Sequence, residues 1–390
     1  MEAYIDNRHV DVKVDFLVIN NKAQKEAYFL SEKESIHSKI KQLENDVRRQ
    51  SKKIATAETK EFLLDGSYEL VNPNDNIETG WRGNKVSDSS GNIRSGEELT
   101  AKFQNKYSSY GFTIYFDDKA NEYAKEIIIE AYRNDEIISS KTFNNDNVIF
   151  KSEFPVEDYD KIIFKFTKTN NPFRKIRVTE IYFGLIEEFD NNSIKDMRII
   201  REVSLDNNAL PFSEVEVTIN NSDKKYNMLN PEGVYKYLQE NHALDVKLGI
   251  GDSKEAIEYI NAGKYYFSEA KTSDNSITAS IVARDKLSLL EKEKYLKTDE
   301  LLLPETFEKL IQRIIAFSKL DIKYMIKDDL KDILMQIVTT QEMTCKEALR
   351  LSCQAACCCC FFDKNDVLVF KKINESQIKD ILDFNKITEY

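Results

Sequence analysis

The stretch REVSLDNNALPFSEVEVTINNSDKKYNMLNPEGVYKYLQENHALDVKLGIG, Arg201–Gly251, and its continuation through YINAGKYYFSEA (259–270) to SITASIVARDKLSLL (276–290) decide the fold. Val215, Val217 and Ile219 alternate with Glu214, Glu216 and Thr218, so one face of a strand is apolar and the other wet. Asn220-Asn221-Ser222-Asp223 stops that strand with side chains that favour turns. Pro231-Glu232-Gly233 opens a short helical turn carrying Val234, Tyr237 and Leu238. Val246 and Leu248 begin another strand, flanked at its end by Gly249 and Gly251. Tyr265-Tyr266-Phe267 and Ile277, Ile281 and Val282 supply two more. The pieces form a strand-rich unit without a dense set of catalytic residue types.

The order of these pieces resembles the baseplate or tail-hub proteins of phages and phage-derived particles of Gram-positive bacteria. The matching positions are Asn220, Asn221, Pro231, Gly233, Gly249, Gly263, Tyr265, Tyr266, Arg284 and Asp285. They cover about the second half of the chain and a short piece at its start. The resemblance implies a barrel-like domain packed around a tail axis. It also implies ring-like self-assembly, commonly as trimers, among other tail and baseplate proteins. A hub of this kind usually continues beyond the point where this chain ends, at Tyr390.

The 390 residues suffice for two or three domains. With 41% hydrophobic and 32% charged residues the chain reads as soluble and globular. A net charge of −11 argues against nucleic acid as the main partner, because phosphate binding needs clustered Lys and Arg. No apolar run reaches the ~18 residues of a membrane span. The start, MEAYIDNRHVDVKVDF, lacks a basic region followed by an apolar one. Synthesis in a bacterial cytoplasm is therefore expected, with release by lysis as part of an extracellular particle.

Val12, Val14, Phe16 and Val18 mark a first strand. Ile36, Ile40, Leu43, Val47 and Ile54 are spaced for a helix over 34–54 with one apolar stripe; a strand beginning near Arg49 competes. From Leu63 to Gly184 the texture changes to short strands: Tyr68–Leu70, Leu99–Phe103, Phe112–Phe116, Ile127–Tyr132, Glu136–Thr142, Val148–Phe150, Ile162–Phe166 and Arg177–Phe183. That series predicts a jelly-roll β-sandwich. The fold class expected is thus mainly β with α+β parts: tail-hub-like barrel and α+β domains carrying an inserted sandwich. The boundaries are 1–61 for the first part of the hub-like domain and 62–185 for the insert. Residues 186–290 continue the hub-like domain, and 291–390 form a C-terminal α+β domain.

The insert resembles carbohydrate-binding and discoidin-type sandwiches. Trp81 in TGWRG, the strand Gly111–Phe116 and the closing strand Arg177–Gly184 carry the likeness. It implies Trp81, Tyr110 and Tyr115 as sugar contacts, with bacterial surface polysaccharide as ligand. A lone Trp in a sandwich also reads as core. Asp65, Asp75, Asp88, Asp117 and Asp118 could give oxygens to a structural calcium, although they lack the spacing of a DxDxDG loop. No other cofactor is expected.

After Asp285 the chain turns helical. Pro304 and Thr306 precede an amphipathic run, Phe307, Leu310, Ile311, Ile314 and Ile315, and a short helix is expected around Asp328–Ile337. Thr344 with Glu347 forms a capping box ahead of Ala348–Ala356. Cys359–Phe362, a DKND loop and Val367–Phe370 read as a hairpin. All six cysteines, Cys345, Cys353 and Cys357 to Cys360, fall in this region. They read as small core residues; a metal or redox site is the alternative, without the two spaced pairs a zinc site uses.

His9, His37 and His242 stand apart, in no catalytic motif. Walker and GxSxG motifs are missing, and Gly249-Ile250-Gly251 lacks a third glycine. Glu130 with Glu180 could form a glycosidase pair only if a cleft brought them together. The reading is a non-enzymatic structural component of the baseplate of a phage tail or bacteriocin-type particle. A free-standing carbohydrate-binding or adhesin module is the alternative.

Overall fold

The computed structural model describes residues 9–44, 53–56, 58, 61–63, 65–72, 79–204, 209–251, 257–272, 277–295, 304–335 and 342–372. The chain divides into two compact units. Unit 1 holds Met1–Val14, Phe189–Asp223 and Ala243–Tyr390; unit 2 holds Asp15–Glu188 and Lys224–His242. The fold is mainly β, with α+β parts.

Unit 2 begins within strand β1 (His9–Ile19) and continues through helix α1 (Asn21–Glu26), β2 (Tyr28–Leu30) and β3 (Trp81–Arg82). Next come β4 (Asn92–Phe116), β5 (Ala124–Arg133), β6 (Glu136–Asn144) and β7 (Ile149–Thr169). The unit then runs through β8 (Arg177–Tyr182) into β9 (Gly184–Phe189). At ~3.3 Å per residue, the 25 residues of β4 would extend roughly 80 Å if straight, far beyond an ordinary strand. Instead β4 and β7 bend together. Residues 97–102 of β4 pair with 161–166 of β7, and 111–115 pair with 149–153, with register shifts between Lys102 and Gly111. The first half of β4 also takes β2, and the second takes β8. The last part of β7 carries β5, which in turn pairs with β6.

The ladder thus folds over itself into a sandwich. Leu99, Ala101, Ile127, Ile129, Phe164 and Phe166 from one half share a core with Phe112, Ile114, Phe116, Val156, Val178 and Ile181 from the other. On the outer face of the first half, Glu98 and Glu130 flank Lys165 at 3.4 and 3.1 Å. The strict alternation of these sets is what period-two pleating requires.

The unit is larger than the 62–185 expected. Ala23, Ala27, Phe29 and Leu43 all lie in its core, so 15–44 cannot belong elsewhere. Segment 224–242 also joins it. Lys225 bridges Glu153 (2.6 Å) and Glu187 (2.7 Å), and Tyr237 packs on Tyr110 with centroids 5.5 Å apart. The helix expected over 34–54 is only a 3-10 turn, Ile40–Glu44, and residues 45–52 lie outside the described residues. Its backbone donors serve β3 and its flank instead: Ser35 N donates to the Arg82 carbonyl and Lys39 N to that of Gly80. Ile36 is left exposed. Tyr68–Leu70 contributes an isolated bridge, Ile54 to Glu69, rather than a strand.

Unit 1 contains β10 (Ile194–Ile200), β11 (Glu214–Asn220), β12 (Ala243–Gly251), β13 (Ile257–Thr272) and β14 (Thr278–Arg284). They form an antiparallel sheet in the order β10-β11-β14-β13-β12, with β1 next. Val215, Val217 and Ile219 of β11 are buried, as their alternation predicts. Gly263 sits where β13 shifts register against β12, with φ +148°, and a Cβ there would meet the Tyr265 ring at 2.8 Å. Asp285 caps helix α2 (Lys286–Leu290), accepting from Leu287 N (3.0 Å) and also from Ser213 N (2.7 Å). Arg284 pairs with Glu214 at 2.8 Å. The Arg284-Asp285 pair thus ties the end of β14 to the start of β11.

Two-residue strands β15 (Lys294–Tyr295) and β16 (Glu305–Thr306) precede helix α3 (Phe307–Ser318) and strand β17 (Lys323–Ile326). Helix α4 (Asp328–Lys331) and strands β18 (Leu334–Met335) and β19 (Met343–Thr344) lead to helix α5 (Cys345–Ala355). The hairpin β20 (Cys358–Phe362) and β21 (Val367–Lys372) closes the unit. Both long helices start as expected. Thr306 accepts from Lys309 N and Thr344 from Glu347 N. Helix α4 is shorter than the Asp328–Ile337 read from sequence. Helices α3 and α5 pack with the sheet β17-β21-β20 around Leu310, Ile314, Leu349, Leu368 and Phe370. No helix among the described residues is long and apolar enough to cross a membrane.

Within unit 2, β9 runs beside β1, and a Cβ on Gly184 would stand 2.0 Å from the Val18 carbonyl oxygen. Backbone cannot yield as a side chain does. Gly184→Ala should therefore lower unfolding stability by about 1–3 kcal/mol, read by denaturant titration. An unchanged midpoint would show that the two strands separate freely.

Candidate functional site

The residues proposed from sequence as sugar contacts are not available for stacking. Trp81 is fully buried, its ring 5.7 Å from that of Phe166, because β3 sets it opposite Val178 over the core. Tyr110 lies under Tyr237 and the Lys225 ammonium. Tyr115 packs edge-on against Tyr182. All three are less than a tenth exposed, so the sugar-contact expectation is corrected at each.

The acidic candidates are also committed. Asp65 accepts from Ser67 N and Asp88 from Ser90 N and Asn92 N, each closing its own turn. Asp117 accepts from Arg177, Asp118 is exposed, and Asp75 lies outside the described residues. Among the described residues no three His, Cys, Asp or Glu side chains are grouped to hold a metal ion. Glu130 is held by Lys165 and Tyr132, whereas Glu180 is fully buried on β8. Cys345, Cys353, Cys358 and Cys360 are buried in the core of unit 1, and Cys357 is exposed. Burial pushes the Cys345 thiol up to about 11, so it stays protonated at neutral pH.

Two features that the sequence did not reveal dominate unit 2. The first is a buried charge network. Arg177, one residue from the core-facing Val178, points its guanidinium to the opposite side of β8. It meets Glu58 at 3.0 Å, Asp117 at 3.2 Å, Glu61 at 3.4 Å and Glu122 at 3.6 Å. Arg174 adds contacts to Glu122 and to Glu61. Buried Arg82, opposite Arg177 in the β3–β8 ladder, feels the same carboxylates. Four carboxylates stand against three guanidiniums, an excess of one negative charge.

Glu122 resolves that excess. Burial, against the opposing pull of Arg177, pushes its carboxyl up to about 7. Burial also raises Glu58, but Arg177 and hydrogen bonds from Lys175 N and Thr56 outweigh it and hold Glu58 low. Below neutrality one proton on Glu122 therefore balances the cluster. Arg177 anchors loop segments near 58, 61, 117 and 122 to one strand, and its partners limit its role to scaffolding.

The second feature is a groove of about 560 Å³. It is lined by Asn20, Lys22, Asn105, Lys106, Tyr107, Ser108, Lys236, Tyr237 and Gln239. Its floor is the bulged turn in the middle of β4. Glu26 organises that turn, accepting from Gln104 N (2.6 Å), Asn105 N (2.7 Å), Asn105 Nδ2 (2.8 Å) and Tyr107 Oη (2.6 Å). Those bonds, led by Tyr107, hold its carboxyl down at about 2. The 3-10 turn Tyr235–Tyr237 forms one wall, with Lys236 paired to Glu157 at 2.8 Å. Lys22 and Lys106 are exposed and make no ion pair among the described residues. His242 fixes this wall: it is buried, takes Gln239 N on Nδ1, and lies 6.3 Å from the Phe16 ring. Burial pushes its pKa down to about 4, so it is neutral at physiological pH. The groove draws on residues from 20 to 239, so no local motif could have flagged it.

The class these features define is a two-unit, mainly β protein with a sandwich spliced into a strand-rich α+β frame. Comparison with known proteins found no matching family model and no matching curated protein. Among solved structures, the chain is similar to the 43 kDa tail protein of prophage MuSo2 from Shewanella oneidensis. That match has 17% identity over 50% of this chain and 52% of the other, with a TM-score of 0.32. It is similar also to the tail protein from Neisseria meningitidis MC58, with 12% identity over 43% of this chain and 44% of the other, TM-score 0.31. A family 32 carbohydrate-binding module from C. perfringens NanJ, in complex with galactose, matches at 14% identity over 45% of this chain and 99% of the other, TM-score 0.27. The matches thus span about half the length of the two tail proteins.

The network yields a test with a definite sign. The Glu122 pKa is raised on folding, from 4.5 to about 7, so the folded state holds the extra proton and stability falls as pH rises across that window. Depressed His242 acts oppositely, costing stability as pH falls from 6.5 towards 4. The two offset each other in the wild type. In Glu122→Gln the first is gone, so its stability relative to wild type should grow between pH 4.5 and 7 by on the order of 3 kcal/mol. A difference that stays constant with pH would refute the protonated Glu122. Arg177→Met should cost roughly 3–5 kcal/mol, because it strands buried carboxylates.

Proposed function

We propose that this chain is a structural component of the baseplate of a phage tail or bacteriocin-type tail-like particle. In this reading it is a hub-like protein at the distal end of the tail, and it acts by assembly and binding, not by catalysis. It is made in a bacterial cytoplasm and works in the released, extracellular particle. The observation that carries this reading is the insertion. The chain leaves unit 1 at Val14 and resumes it at Phe189, so most of the sandwich unit is inserted within the sequence of a strand-rich unit. That frame holds the residues of the tail-hub resemblance in structural roles, such as Gly263 at the β13 bulge and Arg284-Asp285 at the turn from β14 into α2.

Support for self-association comes from unit 1. Val10, Ile250 and Ile260, on the neighbouring strands β1, β12 and β13, are each more than half exposed. Exposed apolar groups of this kind favour an interface with further copies and with other tail proteins. A ring-like homo-oligomer, with three copies the expected number, follows from the resemblance. In this reading unit 2 contacts host-surface polysaccharide, weakly per copy but repeatedly.

Electron microscopy of the intact particle, with an antibody fragment against unit 2, should label the distal tip of the tail. Recovery of the protein only as a secreted monomer, absent from every particle, would replace this reading with that of a free-standing adhesin module. A second expectation concerns the borders. A 62–185 fragment lacks Phe29, Leu43 and the wall at 224–242, and should show no cooperative unfolding. A version joining 15–188 to 224–242 should unfold cooperatively by circular dichroism.

A further inference from the structure

We infer that the groove bordered by Lys22, Lys106 and Lys236 is a binding site for an anionic glycan, a polysaccharide carrying repeated carboxylate or phosphodiester groups. The inference rests on the reading of unit 2 as the host-contacting module and names the ligand class that module takes.

Charge is the first argument. The chain carries −11, yet one groove collects three lysines. Lys236 is neutralised by Glu157, but Lys22 and Lys106 make no ion pair among the described residues. The carboxylate beside them, Glu26, spends both oxygens on four donors of the β4 turn, so it does not bind these ammonium groups. Two unneutralised ammonium groups therefore face a groove whose nearest carboxylates already have partners. At 0.1 M salt the Debye length is ~10 Å, so the acidic remainder of the surface is screened while direct contacts in the groove persist.

The neighbouring groups narrow the ligand. The Gln239 carboxamide makes no hydrogen bond among the described residues; Ser108, whose oxygen accepts from Asp158 N, adds a hydroxyl proton, and Asn105, whose Nδ2 is given to Glu26, adds its amide oxygen. Such groups match the hydroxyls of a sugar chain. Aromatic platforms for nucleobases are not offered. Tyr107 is tied to Glu26 through its hydroxyl, and Tyr237 is only 8% exposed. The site is also built rather than incidental. Glu26 fixes the floor, and buried His242 holds the Gln239 backbone that forms the rim.

The test uses the full-length protein and four immobilised polymers: polygalacturonate, poly(glycerol phosphate), neutral dextran and single-stranded poly(dT). Binding to one or both of the first two, weakening with added salt, is expected. The double variant Lys22→Gln/Lys106→Gln should bind about tenfold more weakly, as expected from the loss of two exposed ion pairs. Lys119→Gln, an exposed lysine outside the groove, should bind like wild type. Matching melting curves will show that the variants are folded. Binding to polygalacturonate alone would assign carboxylate, and to poly(glycerol phosphate) alone phosphodiester. Equal binding to dextran would overturn the inference while leaving a glycan-contacting module in place. Preference for poly(dT), failure to bind all four polymers, or a double variant indistinguishable from wild type would also overturn it. Tip labelling of the particle separately decides whether the proposed function stands.

Discussion

The Arg177 guanidinium is the interaction on which the sandwich unit depends. A charge removed from water is tolerable only when its partners are fixed around it. Here those partners are Glu58, Asp117, Glu61 and Glu122, from segments that are otherwise irregular. Hydrophobic burial is non-directional and would hold those segments loosely. The guanidinium fork gives them direction. The same strand sends Val178 and Ile181 into the core, so the apolar and the ionic halves of the unit are joined through β8.

The second constraint is length. Strands β4 and β7 are too long for one layer, so the ladder must turn over on itself, and the turn is where the groove forms. Glu26 is suited to this point because a carboxylate can accept several donors at once, and the register shifts leave Gln104 N and Asn105 N to be satisfied. Groove and sandwich therefore share one cause: backbone groups freed by the bend are bonded by one side chain, and the loop so fixed becomes a floor.

Much of the fold was legible in the sequence where local chemistry decides structure. The Thr344 and Thr306 caps, the DKND hairpin and the alternation of β11 all act over a few residues, although the Glu347 carboxylate pairs with Arg350 and does not complete the capping box. Strands β4 and β7 read as separate short strands because polar runs such as Gln104-Asn105-Lys106 break their apolar alternation at the bend. The 34–54 segment carried a helical spacing, but its backbone donors found partners beside β3, and tertiary pairing overrode the pattern. Trp81 illustrates the limit for sites: residue type announced a possible stack, and only register over the core determined that its ring faces inward. The groove lysines are individually ordinary, and their meaning is entirely in their proximity.

The division of β1 between the units bears on the order in which the chain can mature. Residues up to Val14 belong to a unit whose other strands begin only after Phe189. A nascent chain emerging from the ribosome must therefore carry a strand whose two neighbours, β9 and β12, are made only after most of the sandwich. The sandwich, too, is unfinished until the wall ending at His242 has emerged. The sandwich unit is thus complete once His242 has emerged, whereas unit 1 still awaits the strands and helices after Ala243, so a synthesis interrupted between the two yields the first without the second. In the proposed role as an assembly component, a chain stopped in that interval would carry the sandwich without the strands of unit 1 that follow Ala243.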